Sequence, residues 1–137
     1  MLKRDYILAL IEDFFKALRL LIEQRTHGNT DNSRQLLEQC YASLRLTEAQ
    51  RLDATPDQLM ELLAVDGNPA LSFMEILANL LLEESYLDAD HGNRLLERAR
   101  VLLRYVDERD DTFSFDRLGK IEMIDSLLGA TDQPQPL

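Results

Sequence analysis

Apolar side chains recur every three or four residues through most of this chain, the spacing that gathers them on one side of an α-helix. From about Lys3 to Arg25, the residues Ile7, Leu10, Ile11, Phe14, Phe15, Leu18, Leu21 and Ile22 share one half of a helix, opposite Asp5, Glu12, Lys16, Arg19 and Glu23. An arc this wide exceeds what a two-helix seam requires, so the first helix is expected to touch two neighbours or a partner chain. His27-Gly28-Asn29 stops it, because glycine takes the positive φ of a helix C-cap without steric cost. A second helix is expected after Thr30 or Asp31, with Leu36, Leu37, Cys40, Tyr41 and Leu44 at core spacing, returning antiparallel to the first.

Between Leu46 and Ala54 the pattern blurs, and a short helical turn or an ordered loop fits equally. Thr55-Pro56-Asp57-Gln58 then opens a third helix with an N-cap threonine, proline at the first position and glutamine at the third, a capping box. This helix is expected to end near Asp66-Gly67. Asn68-Pro69 opens a fourth, running to about Leu87, on which Ser72, Glu75, Asn79 and Glu83 form one narrow polar strip. Leu71, Phe73, Met74, Ile76, Leu77, Leu80, Leu81 and Leu82 fill most of the remaining surface, the signature of a central helix.

A fifth helix, from about Asn93 to Arg109, has the narrower arc of an outer helix, made of Leu95, Leu96, Ala99, Leu102, Leu103 and Val106. A sixth starts near Ser114 and carries Leu118, Ile121, Ile124 and Leu128, with Gly129 closing it. Residues 130–137 hold two prolines and no apolar period, and read as a frayed tail. No stretch alternates with period two long enough to make a strand. The expected fold is all-α, about six helices in antiparallel hairpins, forming a single domain over residues 1–129.

Composition narrows the classes of partner. With 137 residues, 45% of them hydrophobic, the chain can build one core without disulfides or metals. Its 15 Lys and Arg against 25 Asp and Glu give a net charge of −10, which repels a nucleic-acid backbone or an anionic membrane. A single cysteine, Cys40, cannot form an intramolecular disulfide, and the start MLKRDYIL lacks the layout of a signal peptide. The longest apolar run, Tyr6 to Ile11, is far short of the roughly 20 residues a membrane-spanning helix needs. A cytoplasmic protein is the expectation.

The stretches HGNTDNSRQLLEQC (27–40) and HGNRLLERA (91–99) repeat a His-Gly-Asn turn followed by Arg and a Leu-Leu-Glu helix start. Each joins a long apolar helix to a more amphipathic one. With Leu77, Ala78 and Leu81 on its first helix and Ala99 and Leu103 on its second, the second unit resembles a tetratricopeptide repeat. The link from Glu84 to Ala99 is longer than that repeat permits, and its large aromatic and closing proline have no clear counterpart. From DYILALIEDFFKAL to VDERDDTFSFDRLGKIEMI the chain also resembles a family of small helical bacterial proteins. These resemblances imply a tetratricopeptide-like, right-handed helical stack that binds protein, and they bring no catalytic residues with them.

Candidate chemistry is sparse. His27 and His91, with Asp31, Asp88 or Asp90 near them in sequence, are the only histidines available for a pH switch or a metal. Both precede a glycine in a turn, and neither has a histidine at i+3 or i+4, so turn chemistry accounts for them. Cys40 falls with Leu36, Leu37 and Leu44 and reads as a small core residue, not as a nucleophile. Glu84 lies inside an apolar arc next to Glu83, yet its helix-end position lets it reach water or an arginine.

Arg94 and Arg98 lie on one flank of the fifth helix and Arg100 and Arg104 on the other, beside Glu97 and Glu108. That division favours pairing with neighbouring acidic helices over a single anion site. No phosphate-binding loop, dinucleotide glycine pattern, zinc-ligand spacing, serine-hydrolase elbow or calcium loop occurs. The expected function is a non-catalytic module binding an unidentified protein partner, with no cofactor, metal or catalytic residue assigned. Two alternatives stay open. One is a structural homodimer through the first and sixth helices. The other is a small-molecule sensor or enzyme with a pocket among the first, fourth and fifth helices.

Overall fold

In the computed structural model, which describes residues 3–64 and 70–132, every element is an α-helix. Seven are present among the described residues: α1 (Lys3–Thr26), α2 (Thr30–Leu44), α3 (Glu48–Asp53), α4 (Pro56–Leu63), α5 (Leu71–Leu87), α6 (Gly92–Arg109) and α7 (Phe115–Asp132). α5 is the hub, packed against α1, α2, α4 and α6, while α7 lies on α6. Consecutive long helices run antiparallel. The pairing of Arg117 with both Glu75 and Asp107 sets the end of α6 beside the start of α5, and the Arg100–Asp125 pair aligns α7 against α6.

The turn between α1 and α2 follows from its glycine. Gly28 has φ +78°, and the amides of Gly28 and Asn29 donate to the carbonyls of Arg25 and Gln24 at 3.0 and 2.9 Å, closing the last turn of α1. The second His-Gly-Asn has a different backbone. Gly92 is the first residue of α6 and carries no positive φ, while Asp88 accepts the amides of Asp90 and His91.

The structure corrects four boundaries. The blurred stretch after Leu46 contains a seventh helix, α3, because Thr47 and Gln50 form a capping box of the same kind as Thr55 and Gln58 in α4. α4 ends at Leu63, short of the expected stop at Asp66-Gly67; that stop and the Asn68-Pro69 start lie outside the described residues. α7 continues through Asp132, so residues 130–132 are helical where a frayed tail is expected, and residues 133–137 lie outside the described residues. Gly129 does not close α7, since Gly28 is the glycine with positive φ among the described residues.

Core composition follows the predicted arcs closely on α6, where Leu95, Leu96, Ala99, Leu102, Leu103 and Val106 are all buried. On α5, Phe73 to Glu83 is buried apart from the partly buried Glu75. α7 departs from expectation. Its buried row is Arg117, Ile121, Ile124 and Leu128, and Leu118 is turned partly outward. Cys40 is buried among apolar side chains, and burial pushes its thiol pKa up.

Among the described residues, one non-glycine residue sits in a strained backbone conformation. Arg45, the C-cap of α2, has φ 59° and ψ 33°, the left-handed region that glycine enters freely and other residues enter at about 1 kcal/mol or more. Arg45→Gly is therefore expected to stabilise the fold by about 0.5–1 kcal/mol, after allowing for the greater unfolded-state entropy of glycine. Denaturant unfolding of the two proteins side by side measures this, and an unchanged or lower midpoint contradicts it.

Candidate partner-binding cleft

The mismatch in helix length shapes the site. α1 has 24 residues and α2 only 15, joined by a tight turn, so the first turns of α1 extend roughly 13 Å beyond the end of α2 at about 1.5 Å per residue. Tyr6 and Leu10 lie on that overhang, with Phe14 one turn further in, and the ends of α2 and α4 and the start of α5 enclose the space beside them. The result is a cleft of about 710 Å³, lined by Tyr6, Leu10, Phe14, Ala42, Ser43, Leu44, Arg45, Leu62, Leu63, Ala64 and Phe73. A smaller hollow of about 280 Å³ between α1 and α2 adjoins it, sharing Leu10, Phe14 and Ser43.

The floor is aromatic: Phe14 and Phe73 are buried and meet edge to face, with centroids 6.1 Å apart at 81°. Tyr6 and Leu62, on the walls, are 55% and 45% exposed. Arg45 stands exposed at the rim, and its guanidinium has no partner among the described residues. Apolar walls with one unpaired charge at the mouth can hold an apolar side chain and pair with an acidic group beside it.

The residues singled out from sequence lie elsewhere. His27 is exposed, and its Nδ1 is 2.8 Å from the Glu23 carbonyl. His91 is exposed and pairs with Asp88 at 3.0 Å within its own turn. No group of three His, Cys, Asp or Glu side chains converges to hold a metal among the described residues. Glu83 is buried and ion-paired with Arg25, and Glu84 accepts a 2.6 Å hydrogen bond from the Tyr41 hydroxyl. Burial, followed by the Glu84 carboxylate, pushes the Tyr41 pKa upward.

The arginines of α6 divide as the helical wheel divides them. Arg94 pairs with Asp53 of α3 at 3.0 Å, and Arg98 donates to the carbonyls of Arg51 and Ala54 at 2.9 and 2.5 Å, capping the end of α3. Burial lowers the Arg98 pKa, but a guanidinium remains charged. Arg100 and Arg104 both reach Asp125 of α7, at 2.8 and 3.5 Å.

Reasoning from sequence did not single out the most buried charge, Arg117, which is 2% exposed. It contacts Glu75 at 2.9 Å, Asp107 at 3.1 Å and Asp110 at 2.6 Å. Burial alone would lower its pKa, but hydrogen bonds to Glu75, Asp110 and Asp107 outweigh that and hold it above the ordinary value. A signal was present, since Arg117 precedes Ile121, Ile124 and Leu128 at spacings of four, three and four, in register with the buried row. Glu75, Asp107 and Asp110 all ion-pair with this one guanidinium, so the cluster acts as a structural clasp for α7.

No protein-family model matches the chain, and neither the curated proteins nor the solved structures contain a significant match. The described residues include no helix long and apolar enough to cross a membrane.

The clasp predicts a pH dependence. The Asp110 pKa is lowered, first by the Thr112 amide and then by Arg117, so its contribution to stability is complete above the ordinary carboxylate range. That contribution drains away as pH falls through the lowered value, below about pH 4. Arg117→Met is expected to cost about 3 kcal/mol at pH 7, because it strands carboxylates that face one another. The deficit should shrink toward pH 3, as the Asp110 contribution to the clasp is lost. Urea titrations of both proteins at the two pH values test this, and a deficit unchanged by pH would refute the clasp.

Proposed function

We propose that this protein is a non-catalytic interaction module whose cleft takes an apolar segment of a partner protein, with an acidic group of that segment on Arg45. The observation that carries the reading is an open, aromatic-floored cleft with an unpaired arginine at its rim. The backbone at Arg45 strengthens it. A left-handed C-cap suits glycine, and a large charged residue kept in such a conformation is characteristic of functional positions.

Positive charge is scarce in a chain of net charge −10, and one left unpaired beside an apolar hollow is well placed to select a carboxylate. The paired organisation of α1 with α2 and α5 with α6 is in keeping with a tetratricopeptide-like stack, a scaffold that commonly serves protein binding. A cytoplasmic location belongs to the same proposal. A small-molecule reading of this cleft draws support from its volume, which lies in the roughly 300–1,000 Å³ range of ligand pockets. It differs from the sequence expectation in placing the pocket against α2 and α4 instead of α6.

Selection from a displayed random-peptide library on the full chain tests the proposal. The expected outcome is enrichment of peptides with large apolar residues next to Asp or Glu. Leu62→Arg and Arg45→Gly should each weaken these peptides by about tenfold or more, roughly 1.4 kcal/mol, while both proteins remain folded. For Arg45→Gly the loss of binding would accompany a gain in stability, which separates a binding role from a structural one. No enrichment, or peptides indifferent to both substitutions, would overturn the reading. A short-chain alkyl carboxylate binding more tightly than any peptide would transfer the cleft to the small-molecule reading.

A further inference from the structure

α1 carries a second apolar row that neither the core nor the cleft uses fully. Its buried side chains Ile7, Phe14, Leu18 and Leu21 face its main neighbours, α2 and α5. Beside them run Leu8, Ile11, Phe15 and Ile22, spaced three, four and seven residues apart, which is heptad spacing. At about 100° per residue these four fall within an arc of roughly 60°, on the flank of α1 away from Tyr6, Leu10 and Phe14. Leu8 is 50% exposed, and Ile11, Phe15 and Ile22 are only partly buried.

Along the outer border of this row lie Glu12 and Arg19, seven residues apart and so at the same heptad position. Both are exposed, and neither side chain has a partner among the described residues. In an antiparallel helix pair related by a twofold, the same flank of each helix meets, so flanking residues at one heptad position face each other beside the seam. A twofold axis near Phe15 sets Leu8 against Ile22 of a second copy and Phe15 against its own counterpart, and brings Glu12 to within one residue's rise, about 1.5 Å, of the level of Arg19 of that copy, twice over. The border is therefore complementary to itself. With Arg25 paired to Glu83, the four other basic residues in the α1 sequence, Lys3, Arg4, Lys16 and Arg19, balance its four acidic ones, Asp5, Glu12, Asp13 and Glu23, so two α1 helices can approach without the repulsion expected of a chain at −10.

We propose that two copies of this chain pair antiparallel through the Leu8, Ile11, Phe15 and Ile22 face of α1, with register set by reciprocal Glu12–Arg19 ion pairs. This interface is independent of the cleft, which occupies the other flank of α1, so the homodimer and a bound partner segment can coexist.

Sedimentation velocity of the full chain across a concentration series tests the pairing. The expected species at high concentration has the mass of two chains. Leu8→Glu, at a half-exposed position, should weaken the dimer by about tenfold or more. Glu12→Arg and Arg19→Glu should each weaken it severalfold through like-charge contact, and the two combined should restore it to within about twofold, because the exchanged charges again oppose each other. Circular dichroism establishes that each variant is folded. A single-chain mass at all concentrations, a dimer indifferent to Leu8→Glu, or a double exchange that fails to restore pairing would each overturn the proposal. Peptide binding by the Leu8→Glu protein reads the cleft separately, so the two proposals can fail independently.

Discussion

Glu75, Asn79 and Glu83 stand one helical turn apart on α5, a helix that is otherwise apolar and sits at the centre of the molecule. Burying such a row without partners would cost several kcal/mol for each ionised group. The fold answers with three cations from two other helices: Arg117 of α7 on Glu75, Lys120 of α7 on Asn79, and Arg25 of α1 on Glu83. An evenly apolar α5 could rotate among its neighbours with little change in buried area. The strip removes that freedom, because only one rotation presents it to α1 and α7 together.

The same requirement explains how the chain uses its positive charge. Arg94 and Arg98 tie α6 to α3, Arg100 and Arg104 tie it to α7, and Arg51 and Arg109 lie over the rings of Tyr41 and Tyr105. Arg34 donates to the carbonyl of Leu87, joining α2 to the end of α5. Lys16 stands in solvent, and of the guanidinium groups Arg19 and Arg45 are left without a partner among the described residues. One borders the unused apolar row of α1 and the other borders the cleft. In a chain with 15 basic residues against 25 acidic ones, unpaired guanidinium groups beside apolar surface are the features best suited to recognition.

Both surfaces trace back to α1. Its apolar arc covers half the helix, and the core uses only the middle of it, the part holding Ile7, Phe14, Leu18 and Leu21. Because α1 is longer than α2, one edge of the arc overhangs and becomes a cleft wall. The other edge has no principal neighbour beyond α5 and forms the heptad row. A helix cut to the length of α2 with a narrower arc would pack equally well and present neither surface.

Much of this fold was legible in the order of residues. The turn at Gly28, the central character of α5, the whole buried face of α6 and the split of its arginines between two flanks all follow from helical period and capping chemistry, which act within a few residues. α3 was legible too, through the Thr47 and Gln50 capping box, although its short length hid it from a reading based on apolar period. The polar strip of α5 was visible, but not what covers it, since Glu75 and Arg117 are 42 positions apart and no local rule connects them. For the same reason the buried place on α7 went to Arg117 and not to Leu118: an arginine enters a core only where carboxylates from other elements await it, and tertiary packing alone brings Glu75, Asp107 and Asp110 to one point. The cleft belongs to that second class. Tyr6, Leu10, Leu62 and Arg45 each read as ordinary helix or turn residues, and it is the different lengths of packed helices that leave space among them.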